Sequence, residues 1–300
     1  MQHQDERWID VIGADLRTGA RGALTLARRG RRFASLWLGR VGAWFAFVHH
    51  RRVDARFAVF PAAMTMAEIA AVFASLILAM VLFADPLFLM FLDDRNATTI
   101  AVFERVTVLG LSDSILYPTG ALLLAISLLP ARSLARPTRL RLHEIALTAY
   151  FLFTTIAFPG LIANFLKNLI GRARPHFAPD GVVWASWPFH DNYQFASFPS
   201  GHATTAGAAA MALALLAPRY RVFVLLVGFW VALSRPVLGV HFPSDITAGF
   251  CLGAGFTWIY ARSFARKRLL FRFRRDGAIV PRPAWLGRVA QRPLRLIGMT

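Results

Sequence analysis

The chain has 300 residues, of which 56% are hydrophobic, and it carries a formal net charge of +18. Its mean hydropathy of +0.49 excludes an ordinary soluble domain and indicates an integral membrane protein. The basic residues separate apolar segments instead of forming one face or one tail, so we expect membrane lipids and not nucleic acid as partners, and the single cysteine, Cys251, excludes an intrachain disulfide.

The N-terminal segment, residues 1–56, contains eleven arginines around an apolar stretch at residues 36–48. This pattern predicts either an amphipathic helix on the inner leaflet or a loosely ordered basic tail. We expect no cleavable signal peptide, because no apolar core is followed by a small-residue cleavage site.

Six apolar segments follow, and a membrane-crossing helix needs about 20 such residues. The last three are long enough only if polar residues at their ends lie at the outer interface. We therefore predict an all-α, polytopic membrane domain over residues 57–262, followed by a basic cytoplasmic tail at 263–300. Residues 85–113 are predicted to lie outside, with 86–92 dipping into the interface. The six predicted spans are 57–84, 114–131, 145–166, 202–218, 222–240 and 245–261.

The charge distribution predicts the orientation of these spans. Of the 34 Lys and Arg residues, 28 lie in the termini and in the loops on the same side as the termini. By the positive-inside rule both termini are cytoplasmic, which predicts a multi-pass protein of the inner membrane. Small residues in the fourth and sixth spans, at 203–210 and 249–253, predict that these two helices approach closely.

Three polar clusters then fall on the outer face, at residues 167–175, 199–202 and 234–245. Lys167, Arg174 and Arg235 could grip phosphate oxygens, or they could simply mark the membrane interface. Ser200 and Gly201 precede a helix, whose free backbone N–H groups attract anions. Ser200 could also cap that helix without contacting a ligand.

Two histidines complete the set. His241 is followed four residues later by Asp245, whose carboxylate would fix the imidazole tautomer and leave a neutral nitrogen to attack phosphorus. His202 could protonate the leaving oxygen. Zinc ligation by His202, His241 and Asp245 is the competing interpretation. The three nearby cations would repel a dication, so we predict chemistry without a metal or other cofactor.

The clusters resemble the signature of the type 2 phosphatidic acid phosphatase family, in the superfamily of lipid phosphatases and vanadium haloperoxidases. The family pattern Lys-x6-Arg-Pro, Pro-Ser-Gly-His and Ser-Arg-x5-His-x3-Asp matches residues 167–175, 199–202 and 234–245. The resemblance covers roughly residues 57–262. It implies a six-helix membrane core with His241 as a phosphorylated nucleophile, Asp245 orienting it and His202 as general acid. It also implies phosphate binding by Lys167, Arg174, Ser200, Gly201 and Arg235.

The substrate is left open by the sequence. A long aromatic loop at 176–198 could guide a lipid, and Arg172, His176, His190 and Asp191 could contact its headgroup, although ordinary loop structure is the simpler interpretation. Candidate substrates are phosphatidate, phosphatidylglycerol phosphate, undecaprenyl pyrophosphate and lipid A phosphate. The alternatives to a phosphatase are a lipid-phosphate transporter or flippase and a lipid-to-lipid phosphotransferase. No obligate protein partner is expected.

Overall fold

A computed structural model describes residues 31–32, 34–54, 56–60, 66–92, 94, 96–129, 134–178, 182–189 and 192–282. The chain divides into two compact units, and the smaller consists of residues 1–51 and 127–129. Within it, residues 34–49 form helix α1. Trp37 Nε1 donates a hydrogen bond to Ser127 Oγ at 2.9 Å, and Arg40 donates to the Leu129 carbonyl at 2.7 Å. The helical alternative for the N-terminal segment is therefore the one observed in its described part.

The larger unit, residues 52–126 and 130–300, contains the remaining described helices and one short hairpin. Two short irregular helical turns lie between its α-helices. Val108–Gly110 is a 3₁₀ turn and Met80–Ala84 is a π-helical turn. The elements are α2 (Met66–Ala79), α3 (Asp85–Met90), α4 (Ala97–Thr107), α5 (Asp113–Leu128), α6 (Arg136–Ile170), α7 (Gly201–Leu216), α8 (Arg221–Val237), α9 (Pro243–Arg266), and the antiparallel strands β1 (Phe271–Phe273) and β2 (Ile279–Pro281).

Four helical stretches in the described part of the chain are long and apolar enough to cross a membrane. Helix α7 is also apolar but shorter. The protein is thus a mostly helical, membrane-embedded protein. The four candidate spans are Ala67–Met90, Ala97–Leu128, Arg136–Ile170 and Pro218–Val237.

The first half of the predicted topology differs from the structure. Residues 57–60 are not helical. The Arg262 guanidinium donates hydrogen bonds to the carbonyls of Ala58 at 3.0 Å and Val59 at 2.6 Å. The helix that starts as α2 continues past residue 84 into α3, so residues 86–90 are helical. Helix α4 lies in a segment that was predicted as an outer loop.

The region predicted as a basic tail also contains regular structure. Strands β1 and β2 pair antiparallel directly after α9. Phe271 is fully buried and its ring lies 5.1 Å from that of Phe151 in α6. An aromatic side chain inside a basic segment therefore anchors the hairpin to the helices.

Helices α7 and α9 lie closely against each other, as their small residues predicted. A Cβ added at Gly253 would collide with the Thr204 carbonyl, and one at Gly207 would collide with the Phe250 carbonyl. The backbones approach closely only because these positions lack side chains. This contact fixes the first turn of α7 beside the first turn of α9.

Candidate active site

The first cluster is positioned by the end of α6. Lys167 lies in the last turn, and Gly171 ends the helix in the left-handed region with φ +60°, donating its N–H to the Lys167 carbonyl at 2.8 Å. A side chain at Gly171 would be strained and would also collide with the Trp187 carbonyl. The Trp187 N–H donates back to the Gly171 carbonyl at 2.7 Å. The segment that carries Arg172 and Arg174 is therefore held on a defined backbone.

The second cluster forms the start of α7. Ser200 is fully buried, and its Oγ accepts a long hydrogen bond of 3.5 Å from the Ala203 N–H, as a capping residue does. Lys167 Nζ lies 3.5 Å from the point that a Cβ on Gly201 would occupy. A cation and free helical N–H groups thus face the same space, which is the arrangement that attracts an oxyanion.

The third cluster lies between α8 and α9. Asp245 Oδ2 accepts hydrogen bonds from the Ser197 hydroxyl at 2.5 Å and from the Phe242 N–H at 2.8 Å. His241 Nδ1 lies 3.6 Å from the same oxygen, slightly beyond hydrogen-bond distance. The second and third clusters are tied together, because the Ser200 N–H donates to the Asp245 carbonyl at 3.0 Å. The carboxylate faces Nδ1, which leaves Nε2 as the nitrogen for an incoming phosphate.

Burial favours the neutral form of the His241 imidazole. Its side chain is only 2% exposed. Burial lowers the pKa of His241 to about 3, Asp245 opposes this effect, and the charges of Arg174 and Lys167 add to it. A nucleophilic imidazole must be unprotonated, so this environment suits attack at neutral pH.

Arg174 and Arg235 approach the site from different elements. The Arg174 guanidinium donates to the carbonyls of Tyr193 at 2.9 Å and Val240 at 3.1 Å. Arg235 Nη1 donates to the Thr107 hydroxyl of α4 at 2.8 Å. Arginine has five N–H donors, so both side chains keep further donors for a phosphate.

Electrostatic interactions connect all three cations with His202 and two of them with His241. The charges of Arg235, Lys167 and Arg174 all act on His202, and those of Arg174 and Lys167 act on His241. The structure therefore brings the predicted cations and histidines into one region.

A cavity of about 370 Å³ lies beside the part of this region that is formed by the end of α6 and the start of α7. Lys167, Gly201 and His202 line it, whereas Arg174, Arg235, His241 and Asp245 do not. The remaining walls come from α5, α6 and the turns before α5, and they are mostly apolar, with Leu111, Leu116, Ile156, Ala157, Gly160, Leu161 and Ala163. Polar groups thus meet an apolar cavity at the start of α7.

Two residues of the site were not assigned to it from the sequence. Arg172 was considered a possible headgroup contact, but it is fully buried and donates to Asp245 at 2.6 Å and to Asp85 at 2.8 Å. Asp85 was placed in an outer loop. The sequence contained one signal for both residues, because a charged side chain beside an apolar segment needs a partner. His176 is exposed, and His190 and Asp191 lie outside the described residues.

Metal ligation was the competing interpretation of the histidines. Among the residues that the structure describes, no three His, Cys, Asp or Glu side chains form a group that could hold a metal ion. Both Asp245 oxygens already accept hydrogen bonds, from Arg172 on one side and from Ser197 on the other.

Comparisons with known proteins found similar sequences for part of this chain. Residues 148–269 match the family model described as PAP2 superfamily. The lipid A 1-phosphatase of Rhizobium etli is 46% identical over 127 residues, which are 42% of this chain and 55% of that protein. The decaprenylphosphoryl-5-phosphoribose phosphatase of Mycobacterium tuberculosis is 40% identical over 93 residues, 31% of this chain and 48% of that protein. The chain spans about half the length of these curated relatives.

One solved structure is also similar, the transmembrane PAP2-type phosphatidylglycerolphosphate phosphatase from Bacillus subtilis. It is 22% identical and the match covers 77% of this chain and 93% of that chain, with a TM-score of 0.37. That score is too low to support an argument about the arrangement of the helices.

Proposed function

We propose that the protein is a member of the PAP2 superfamily, whose family model matches residues 148–269, and that it is an integral membrane phosphatase that hydrolyses a lipid phosphate without a metal or other cofactor. The observation that carries the proposal is that Lys167, Arg174 and Arg235 all act on His202. Lys167 and Arg174 also act on His241, which is buried against Asp245.

In the first step His241 Nε2 attacks phosphorus, a P–N bond forms and the P–O bond to the lipid breaks. His202 gives its proton to the leaving oxygen, and it carries that proton only when the negative phosphate is bound and offsets the three nearby cations. Asp245 holds the opposite side of the His241 ring, which becomes positive as Nε2 bonds to phosphorus. The three cations, the Ser200 hydroxyl and the Gly201 N–H stabilise the charge on the equatorial oxygens, whereas the Ser200 N–H is already bonded to the Asp245 carbonyl.

In the second step water attacks the phosphohistidine. His202, now neutral, takes a proton from that water, and the P–N bond breaks. Inorganic phosphate leaves, and both histidines return to their starting protonation states. No electrons are exchanged with a cofactor in either step.

Lipid A 1-phosphate is the first substrate to test. The relative named as a lipid A 1-phosphatase is 46% identical to this chain over 127 residues. The residues that match the family model, 148–269, contain all three clusters. Phosphatidate, phosphatidylglycerol phosphate and undecaprenyl pyrophosphate are the other members of the panel, because the cavity beside Lys167 and His202 is apolar and does not select one headgroup.

The proposal includes six spans, with both termini in the cytoplasm and the site at the periplasmic face of the inner membrane. The distribution of Lys and Arg supports this orientation, since 28 of the 34 lie on the side of the termini. Helices α7 and α9 would be the two spans added to the four long apolar helices.

The experiment uses the full chain, purified in detergent with an excess of chelator. Each lipid phosphate of the panel is supplied and free phosphate is measured. We expect release that is highest with lipid A, and loss of release in His241→Ala. His50→Ala, which removes an exposed histidine of the smaller unit, is the matched control and should retain wild-type release.

Each other outcome contradicts a named part of the proposal. Full loss of activity with chelator contradicts metal-free chemistry, and turnover by His241→Ala contradicts its role as nucleophile. Tight binding of a lipid phosphate without release indicates a carrier. Recovery of the phosphate on a second lipid indicates a phosphotransferase.

A further inference from the structure

Asp85 is a fully buried carboxylate within an apolar helix. It is the first residue of α3 and lies inside the candidate span Ala67–Met90, with its side chain 0% exposed. Ionisable residues at such positions are costly and are rarely present without a function. Asp85 also lies outside residues 148–269, so the family match does not assign it a role.

The contacts of Asp85 lead directly to the proposed site. Its Oδ2 accepts hydrogen bonds from Arg172 Nη2 at 2.8 Å and from the Ser244 hydroxyl at 2.5 Å, and its Oδ1 accepts from the Ser244 N–H at 2.9 Å. The other guanidinium nitrogen, Arg172 Nη1, donates to Asp245 Oδ1 at 2.6 Å. Arg172 therefore bridges two carboxylates, and one of them faces His241.

Aromatic rings enclose the bridging guanidinium. The Arg172 Cζ lies 4.4 Å from the ring centre of Trp184 and 4.1 Å from that of Phe242. Arg172 itself is 0% exposed, so water does not screen the charges of the cluster. A planar fork held between rings has a fixed direction, which a flexible ammonium would not have.

The charges of this cluster do not cancel. Arg172 and Asp245 alone would form a neutral pair, and little negative charge would remain toward the imidazole. With Asp85 present, Arg172 divides its positive charge between two carboxylates, and the three side chains together carry one negative charge. The His241 ring gains positive charge when Nε2 bonds to phosphorus, and a net negative cluster beside Nδ1 stabilises that change.

We infer that Asp85 is a positioning residue for the phosphatase reaction: it shares the charge of Arg172 so that Asp245 stays oriented and negatively charged toward His241. The inference rests on the proposed function. Asp85 touches neither the substrate nor the reacting atoms and acts only through Arg172 and Ser244.

The test compares Asp85→Asn with the wild type in the phosphate-release assay, using the lipid that the wild type hydrolyses fastest. Asparagine keeps the shape and removes the charge. We expect kcat to fall roughly tenfold or more while KM stays within about twofold, because the lost charge acts on the chemical step and not on lipid binding. Asp94→Asn removes an exposed carboxylate nearby and should keep the wild-type kcat.

Arg172→Lys is a second variant, because a single ammonium keeps the positive charge but cannot bridge both carboxylates. Its kcat should also fall while its KM stays close to that of the wild type. Size-exclusion profiles and melting curves establish that each variant is folded. A wild-type kcat in folded Asp85→Asn overturns the inference, and so does loss of folding in both variants, which would show a structural role. Absence of phosphate release by the wild type ends both proposals, whereas equal release by wild type and Asp85→Asn ends only this one.

Discussion

Replacing Gly253 by alanine should push α7 away from α9. A Cβ at Gly253 would collide with the Thr204 carbonyl, and a backbone carbonyl within a helix cannot rotate aside. Gly255, two residues further along α9, is the matched control, because a Cβ there meets no atom within 4 Å. Both variants make the same chemical change in the same helix.

Opposite effects on stability are expected from the two variants. Overpacking of a close contact costs about 1–3 kcal/mol. Removing a glycine from a helix interior gains roughly 0.5–1 kcal/mol when the new methyl group has space. The difference between the variants, about 1.5–4 kcal/mol, corresponds to roughly 3–16 °C in melting temperature.

Melting of the purified proteins in one detergent measures this difference. Gly253→Ala should also release phosphate more slowly, since α7 carries His202 and α9 carries Asp245. If Gly253→Ala melts at or above the temperature of Gly255→Ala, the close approach of the two backbones is not what holds these helices together.

The remaining predictions concern pH, inhibition and topology. The pKa of His241 is about 3 in the folded protein and about 6.5 when the residue is exposed, so its contribution to stability is complete above pH 6.5 and is lost as the pH falls toward 3. Between pH 8 and pH 5 the melting temperature of the wild type should therefore fall more than that of His241→Asn, and equal falls would contradict this assignment. Orthovanadate should inhibit as a mimic of five-coordinate phosphorus, and Arg235→Ala should need about tenfold more of it; an unchanged requirement would exclude Arg235 from the phosphate site. In a Cys251→Ala background, an impermeant maleimide added outside should label a cysteine at position 94 and not one at position 139, and the reverse pattern would invert the proposed topology.

The second half of the fold was predictable because its signals are local. The apolar runs before and after Arg235 and Asp245 have clear ends. The helices α7, α8 and α9 begin and end within five residues of the segments predicted at 202–218, 222–240 and 245–261, although only α8 is among the four described helices long and apolar enough to cross a membrane. The small residues that let α7 approach α9 are also visible without any knowledge of distant contacts.

The parts that were missed depend on contacts far apart in the chain. Asp85 pairs with Arg172 across 87 positions, and neither residue indicates its partner from its own neighbours. The first predicted span was therefore ended before Asp85, although this residue lies buried inside a helix. The start of that span was misplaced for a similar reason, because Arg262 binds carbonyls about 200 positions away.

The central claim is that His241 carries the phosphate during turnover. The most direct measurement mixes purified wild-type protein with a lipid labelled at its phosphate, stops the reaction with base, in which phosphohistidine is stable, and locates the label by mass spectrometry of peptides. We expect phosphate on the peptide that contains His241 and on no peptide of His241→Ala. Continued release of phosphate by the wild type with no labelled His241 at any time during turnover would contradict the account.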